Sequence, residues 1–157
     1  MLKLFYIVLL SLFMAACTST SNNLNNEDHY TLSLQAKYGK GKAVEIEISP
    51  NASDKSAFID GARVGYIQSW NKLTLERRLT LKKELENQRD NKSLKHNNKL
   101  WRRYGSILEN NKIENYISKY NDPDVETNSY HSFMNGRSTG IHLAARDIVK
   151  IRQKEIE

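Results

Sequence analysis

The chain has 157 residues, a formal net charge of +6 and 39% hydrophobic residues. This size suits one domain with a modest core and excludes a large multidomain assembly within the chain. Its single cysteine, Cys17, excludes an intrachain disulfide, so we expect packing alone to stabilise the fold. Lys and Arg are interspersed with Asp and Glu, which is typical of a solvated surface, while the basic balance suits an anionic lipid surface or an acidic protein partner.

An apolar segment opens the chain. Lys3 precedes a run from Leu4 to Ala16 that only Ser11 interrupts, and small residues stand directly before Cys17. As a helix the run covers about 20 Å, less than the roughly 30 Å of a bilayer's hydrocarbon core. The pattern predicts a signal peptide over residues 1–16 that is cleaved before the cysteine, and not a transmembrane anchor.

The end of this segment, Leu12-Phe13-Met14-Ala15-Ala16-Cys17, resembles the lipobox of bacterial lipoproteins. In that family the cysteine carries diacylglycerol and its new amino group is acylated, which implies covalent lipid on Cys17 and no other cofactor. Several acyl chains hold a protein at a bilayer without a spanning helix. In enteric lipoproteins an Asp after the cysteine retains the protein at the inner membrane, so Thr18 implies the outer membrane, facing the periplasm. The alternative is an ordinary secreted protein with a free thiol.

The segment after the cysteine is polar. Thr18 to Asp28 is nearly free of apolar residues and cannot bury a core. We therefore expect residues 17–29 to form a lipidated cysteine with a flexible, disordered tether, whose reach is about 20 Å. Residues 30–157 are then a single, mainly helical periplasmic domain.

Two segments alternate apolar and polar residues, Tyr30 to Tyr38 and Val44 to Ser49, on either side of Gly39-Lys40-Gly41. This pattern predicts a β-hairpin with one buried face. Because a lone hairpin is marginally stable in water, it must pack on the helices that follow or pair with another chain. Its edges are the place in the chain where strand addition by a partner is most favoured.

Helical periodicity begins after the hairpin, where Ser53 or Asp54 can cap a first helix. This helix is predicted to pause near Asn71-Lys72, and Thr74 is a candidate N-cap for an amphipathic continuation to about Arg89. The apolar positions of that continuation are Leu75, Leu79, Leu81 and Leu85.

A third helix is predicted from Lys99 to Tyr120, relaxed around Asn110-Asn111 and ended by Asp122-Pro123. The last helix runs from about Glu126 or Ser129 to near Gln153. The fold class is therefore mainly α, a small helical bundle with an N-terminal β-hairpin, preceded by a signal peptide and a flexible tether.

The first and last helices share an internal repeat in which Phe, two residues, Gly, three residues and Gly follow one another. A glycine inside a helix costs about 1 kcal/mol against alanine, so two such pairs need a physical reason. Without Cβ atoms two helix backbones can approach closely, which predicts that these helices pack through their glycine faces while the intervening helices cover the outside. A glycine face left open as a docking groove is the functional alternative. The repeat residues are Phe58, Gly61, Gly65, Phe133, Gly136 and Gly140.

The signal with Cys17, the segment from Phe58 to Tyr66 and above all the segment from Phe133 to Ile141 resemble the entry-exclusion (Exc) lipoproteins of small mobilisable bacterial plasmids and their chromosomal relatives. That resemblance implies a role in excluding incoming plasmid DNA from the cell. It implies no catalytic residues. The similarity covers the signal and about a third of the mature chain.

Catalytic and metal-binding motifs are absent from the sequence. The four histidines lack metal-ligand spacing, and no nucleophile elbow, P-loop or dinucleotide fingerprint occurs. We therefore expect neither an enzyme nor a metal site, and no small-molecule substrate. Nucleic acid contact is not expected of a lipidated, exported protein.

One aromatic-basic segment, Trp101-Arg102-Arg103-Tyr104, is a candidate binding site. Arg102 and Arg103 could meet a phosphate or an acidic partner, because arginine forms bidentate contacts with such groups. The alternative is that Trp101 and Tyr104 belong to the core and the two arginines are solvated.

These features favour a non-catalytic envelope lipoprotein that binds an unidentified envelope or incoming protein. The first hypothesis is an exclusion factor resembling the Exc lipoproteins. A periplasmic immunity or inhibitor protein against a toxin is the second, and a structural envelope lipoprotein is the third.

Overall fold

The computed structural model describes residues 28–37, 41–87, 103–107, 110–122 and 127–156, so the predicted signal, Cys17 and most of the tether lie outside the described residues. Within these ranges there are two strands and three helices, and the mainly α class with an N-terminal hairpin is confirmed. The elements are β1 (His29–Leu34), β2 (Lys42–Glu47), α1 (Lys55–Asn87), α2 (Asn110–Asn121) and α3 (Thr127–Ile156).

The hairpin is antiparallel, with Tyr30 opposite Ile46 and Leu32 opposite Val44. Successive side chains of a strand point to opposite faces, which explains why the alternating sequence gives one buried and one exposed face. The buried face lies against the helices and consists of Leu32, Leu34, Val44, Ile46 and Ile48.

Helix α1 begins at a side-chain cap. The Oδ1 atom of Asp54 accepts a hydrogen bond from the backbone N–H of Ala57 at 2.9 Å, which satisfies one of the unpaired amides of the first turn. Of the two cap candidates, Asp54 is therefore the N-cap. The hydroxyl of Ser53 instead lies 3.3 Å from that of Ser132 in α3.

The predicted pause near Asn71-Lys72 is wrong, because α1 continues without a break to Asn87. Thr74 is not an N-cap, since its hydroxyl donates to the carbonyl of Trp70 at 2.7 Å within the same helix. The Asn71 side chain bonds Ile107 in both directions, accepting from its N–H at 2.8 Å and donating to its carbonyl at 3.2 Å. A polar residue that suggested a helix end thus serves a tertiary contact.

The continuation of α1 is also less buried than its pattern indicated. Leu75 and Leu79 are 50% and 52% exposed, whereas Leu81 is buried. Leu81 packs in a small separate cluster with Tyr104 and Ile151, because the buried face of α1 has moved round the helix by this point.

The prediction of a third helix from Lys99 is wrong over residues 104–107, because these residues are not helical. Ile107 forms an isolated antiparallel bridge with Ala36, and the N–H of Lys37 donates to the carbonyl of Ser106 at 2.8 Å. Helix α2 starts only at Asn110. Pairing with the chain after β1 therefore decides a segment whose apolar spacing suggested a helix.

Helices α1 and α3 form the centre of the fold and run parallel to each other, because their contacts rise together along both sequences. Ala62 meets Gly140, Tyr66 bonds Asp147 and Arg77 bonds Glu155. The chain therefore returns to the starting end of α1 between Asn87 and Thr127, and α2 lies within this interval. The hairpin and α2 both pack on the helix pair, so the hairpin shares the outer covering that was predicted to be helical.

Within the described ranges, no helix is both long enough and apolar enough to cross a membrane.

Candidate functional site

The structure brings the repeat residues of α1 and α3 together. A Cβ added at Gly61 would overlap the carbonyl group of Phe133, and one at Gly65 would lie 2.9 Å from the carbonyl carbon of Arg137. The same holds from α3, where a Cβ at Gly136 would lie 2.7 Å from the carbonyl carbon of Phe58. These separations are well inside ordinary van der Waals contact, and every neighbouring atom belongs to the backbone.

The contact has a local two-fold pseudo-symmetry. Phe58 and Phe133 are equivalent in the repeat, and each covers the first glycine of the other helix. Ala62 likewise covers Gly140, and its repeat equivalent, Arg137, covers Gly65. The sequence repeat is therefore the register in which the two parallel helices meet.

The alternative of an open glycine groove is wrong, because backbone of the partner helix covers all four repeat glycines. Phe58 and Phe133 are both buried at this contact, and the Phe133 ring stacks on Tyr120 of α2 with centroids 4.7 Å apart. A binding surface must be sought elsewhere on the domain.

A groove of about 410 Å³ lies between β2 and α3. Apolar atoms come from Ile48, Phe58 and Leu143, and the exposed side chains of Glu45 and Glu47 stand on the strand side. The remaining lining residues are His29, Ser49, Pro50, Thr139 and Arg146. This groove is the candidate functional site.

The hairpin is fixed to the helices by a polar cluster around Asp147. The Lys42 ammonium lies 2.9 Å from Oδ2 of Asp147, and the Tyr66 hydroxyl donates to the same oxygen at 2.8 Å. Lys42 Nζ also lies 3.6 Å from the centroid of the Trp70 ring, within range of a cation–π interaction. Lys42 therefore binds β2 to both long helices.

Burial and pairing act against each other in this cluster. Burial tends to raise the pKa of Asp147, but hydrogen bonds from Lys42 and Tyr66 outweigh it, so the pKa lies below its ordinary value. Burial lowers the pKa of Lys42 despite its carboxylate partner. The pKa of Tyr66 is raised by burial and then by its bond to Asp147. Tyr66 thus remains a neutral hydrogen-bond donor.

A second polar cluster joins the far ends of the helix pair. Arg77 Nη2 lies 2.7 Å from Oε2 of Glu155, and the Tyr104 hydroxyl donates to Oε1 of the same carboxylate. Burial, followed by this hydrogen bond, raises the pKa of Tyr104 to about 12. This cluster positions the two helices relative to each other.

The Arg-Arg candidate site is only partly described. Arg102 and Trp101 lie outside the described residues, while Arg103 is exposed. Tyr104 is buried, and its hydroxyl is committed to Glu155. Cys17 also lies outside the described residues, so its lipidation stays a prediction.

The described part of the chain contains no group of three or more His, Cys, Asp or Glu side chains placed to hold a metal ion.

The groove itself was not predicted. Strand alternation placed Glu45 and Glu47 on an exposed face, but nothing in the sequence indicates that α3 lies beside β2. The available signal was the pair of carboxylates on a strand expected to have a free edge.

Comparisons with protein-family models, with curated proteins and with solved structures find no match to this chain.

Proposed function

We propose that this protein is a lipid-anchored envelope protein that acts by binding and serves to exclude incoming plasmid DNA. The observation that carries the proposal is the lipobox ending at Cys17, together with the Phe133 to Ile141 segment that resembles the Exc lipoproteins. Acylation of Cys17 would place the domain at a bilayer surface, where an exclusion factor would meet an incoming conjugative apparatus.

The geometry supports anchoring followed by presentation of a folded domain. Strand β1 begins at His29, so the polar segment from Thr18 to Asp28 separates it from the lipidation site. We predict from its composition that this segment is flexible, and a flexible chain of this length spans about 20 Å, which would lift the domain clear of the lipid head groups.

The geometry also supports binding by a preformed surface. The groove between β2 and α3 is built on a helix pair whose backbones are in direct contact, and Lys42 holds the strand to Asp147. A rigid site loses less conformational entropy when a partner binds.

The test is conjugation into recipient cells that express the intact chain, Cys17→Ser or Thr18→Asp. We expect the intact chain to lower transfer of a related mobilisable plasmid, but not of an unrelated one. Cys17→Ser should lose the effect because the domain is no longer anchored. Thr18→Asp should change it by retaining the protein at the inner membrane.

Membrane fractionation of each variant is the control. If the intact chain is processed and anchored but transfer of both plasmids is unchanged, exclusion is ruled out. A search for a toxin that the protein neutralises would then be the next experiment.

A further inference from the structure

Among the residues that the structure describes, strand β2 pairs with β1 alone, so its other edge has no strand beside it. In an antiparallel pair, residues alternate between those that hydrogen-bond across the ladder and those whose N–H and C=O groups point away. The N–H of Ile48 donates to the carbonyl of Asp28 at 2.7 Å, so even-numbered residues of β2 face β1. The backbone groups of Ala43, Glu45 and Glu47 therefore point away from β1, toward the groove.

Within the described ranges, this edge forms no backbone hydrogen bond. The backbone hydrogen bonds outside the helices and strands have Lys37, Ile48, Ala52 and Phe58 as their donors, and none of them involves the three outward-pointing residues. Free strand edges attract additional strands, and proteins usually cover them or protect them with charge. Here the edge lies beside a groove whose lining combines apolar and polar side chains.

The charged side chains beside this edge determine which kind of segment can bind there. Glu45 and Glu47 are exposed on one face of β2, and neither forms an ion pair within the described part of the chain. On the opposite face of the strand, the groove is lined by Phe58 and Leu143. Because the side chains of an added strand would alternate between these two faces, one set would meet carboxylates and the other apolar surface.

We propose that the groove binds an extended segment of a partner protein as a third strand, paired to β2, in which basic residues alternate with small apolar ones. The basic side chains lie opposite Glu45 and Glu47, and the apolar ones enter the groove beside Leu143. This inference rests on the proposed binding function and specifies the chemistry of the partner.

The test titrates the full chain in detergent with the peptide acetyl-Lys-Val-Lys-Val-Lys-amide while recording amide NMR spectra. We expect a Kd below about 1 mM, as for a short strand-addition ligand. The largest shifts should occur at the amides of Ala43, Glu45 and Glu47. The block peptide acetyl-Lys-Lys-Lys-Val-Val-amide, of identical composition and net charge, should bind at least about tenfold more weakly because it lacks the alternation.

Two further experiments separate the contribution of backbone hydrogen bonds to binding from the contribution of charge. The same alternating peptide with N-methyl groups on the backbone nitrogens of all five residues cannot donate to a strand ladder in either direction and should not bind. The double variant Glu45→Gln/Glu47→Gln should bind about tenfold more weakly, since it keeps the shape and removes the rim charges. Glu76→Gln/Glu114→Gln, at exposed residues of other elements, is the matched control and should bind like the wild type.

Absence of binding overturns the inference, as does equal binding of the block or N-methylated peptide. Shifts centred on Arg103 or the outer face of α3 would overturn it as well. Because plasmid transfer is measured separately, loss of peptide binding with intact exclusion removes only this inference. Loss of exclusion with retained peptide binding removes only the proposed biological role.

Discussion

The two halves of the α1–α3 pair are held together in different ways. In the first half, glycines let the two backbones touch, and a Cβ at any of the four repeat positions would meet backbone atoms. In the second half, side chains fill the interface, with Arg77, Glu155 and Tyr104 in a polar cluster beside Leu81. Backbone contact cannot adjust to a larger residue, whereas long side chains can change rotamer. The same two helices should therefore respond very differently to substitution in their two halves.

The largest effect is expected at the glycines. Gly65→Leu and Gly140→Leu should each destabilise the domain by more than about 4 kcal/mol, because the helices must separate to admit the side chain. The measurement is the thermal unfolding midpoint of the purified chain. Ser138→Leu, on an exposed position of α3, is the control and should leave the midpoint nearly unchanged. An unchanged midpoint in both glycine variants would contradict the packing explanation.

A smaller effect is expected in the polar half. Glu155→Ala should cost about 2 to 3 kcal/mol, since it leaves the mostly buried Arg77 guanidinium and the Tyr104 hydroxyl without their main partner. Glu84→Ala is the matched control, because Glu84 pairs with the same arginine at 3.4 Å but its side chain is 50% exposed. Its cost should stay below about 0.5 kcal/mol in urea unfolding. Equal costs would show that the burial of Glu155 contributes nothing.

Each half of the α1–α3 pair has a buried tyrosine, Tyr66 or Tyr104, so the pH dependence of the folding stability reports on both halves. The pKa of Tyr104 is raised to about 12 from an ordinary 10.0, so the unfolded chain loses this proton first as the pH rises. Stability should therefore fall as the pH rises from 10 toward 12, and Tyr104→Phe should flatten that fall.

Burial also raises the pKa of Tyr66, in the glycine half, so part of the fall should survive in Tyr104→Phe. The double variant Tyr66→Phe/Tyr104→Phe should lose more of it. Urea midpoints at several alkaline pH values measure the slope. An undiminished slope in the double variant would show that other groups control alkaline unfolding.

The smallest effect concerns the start of the glycine half. A hydrogen bond from Ser129, followed by one from the N–H of Ala57, lowers the pKa of Asp54 below 3.8. Its contribution is present above that pH and is lost as the pH falls further. Asp54→Asn should cost about 1 kcal/mol at neutral pH and make unfolding less acid-dependent, while retaining a capping oxygen. Urea midpoints at several acidic pH values measure this change, and an unaltered acid dependence in Asp54→Asn would contradict it.

Local patterns predicted the elements well where local and tertiary forces agree. Alternation located the hairpin and its buried face, and the two cap candidates Ser53 and Asp54 marked the start of α1, where the structure selects Asp54. Prediction failed where a residue's partner is distant. Asn71 suggested a helix end because its bond to Ile107 is invisible in the sequence, and Tyr104 to Ile107 looked helical because their spacing does not reveal the pairing with Ala36.

The sequence by itself determined the hairpin, most of the helical structure and the repeat whose glycines set the register of the central helices, because these depend on periodicity and on the absence of a Cβ atom. Only the tertiary structure decided that the two helices are parallel and that the hairpin lies along α3. It also decided that Glu45 and Glu47 stand at the rim of a groove. These features depend on how α2 and the hairpin pack on the α1–α3 pair. No local sequence pattern specifies such contacts between residues far apart in the chain.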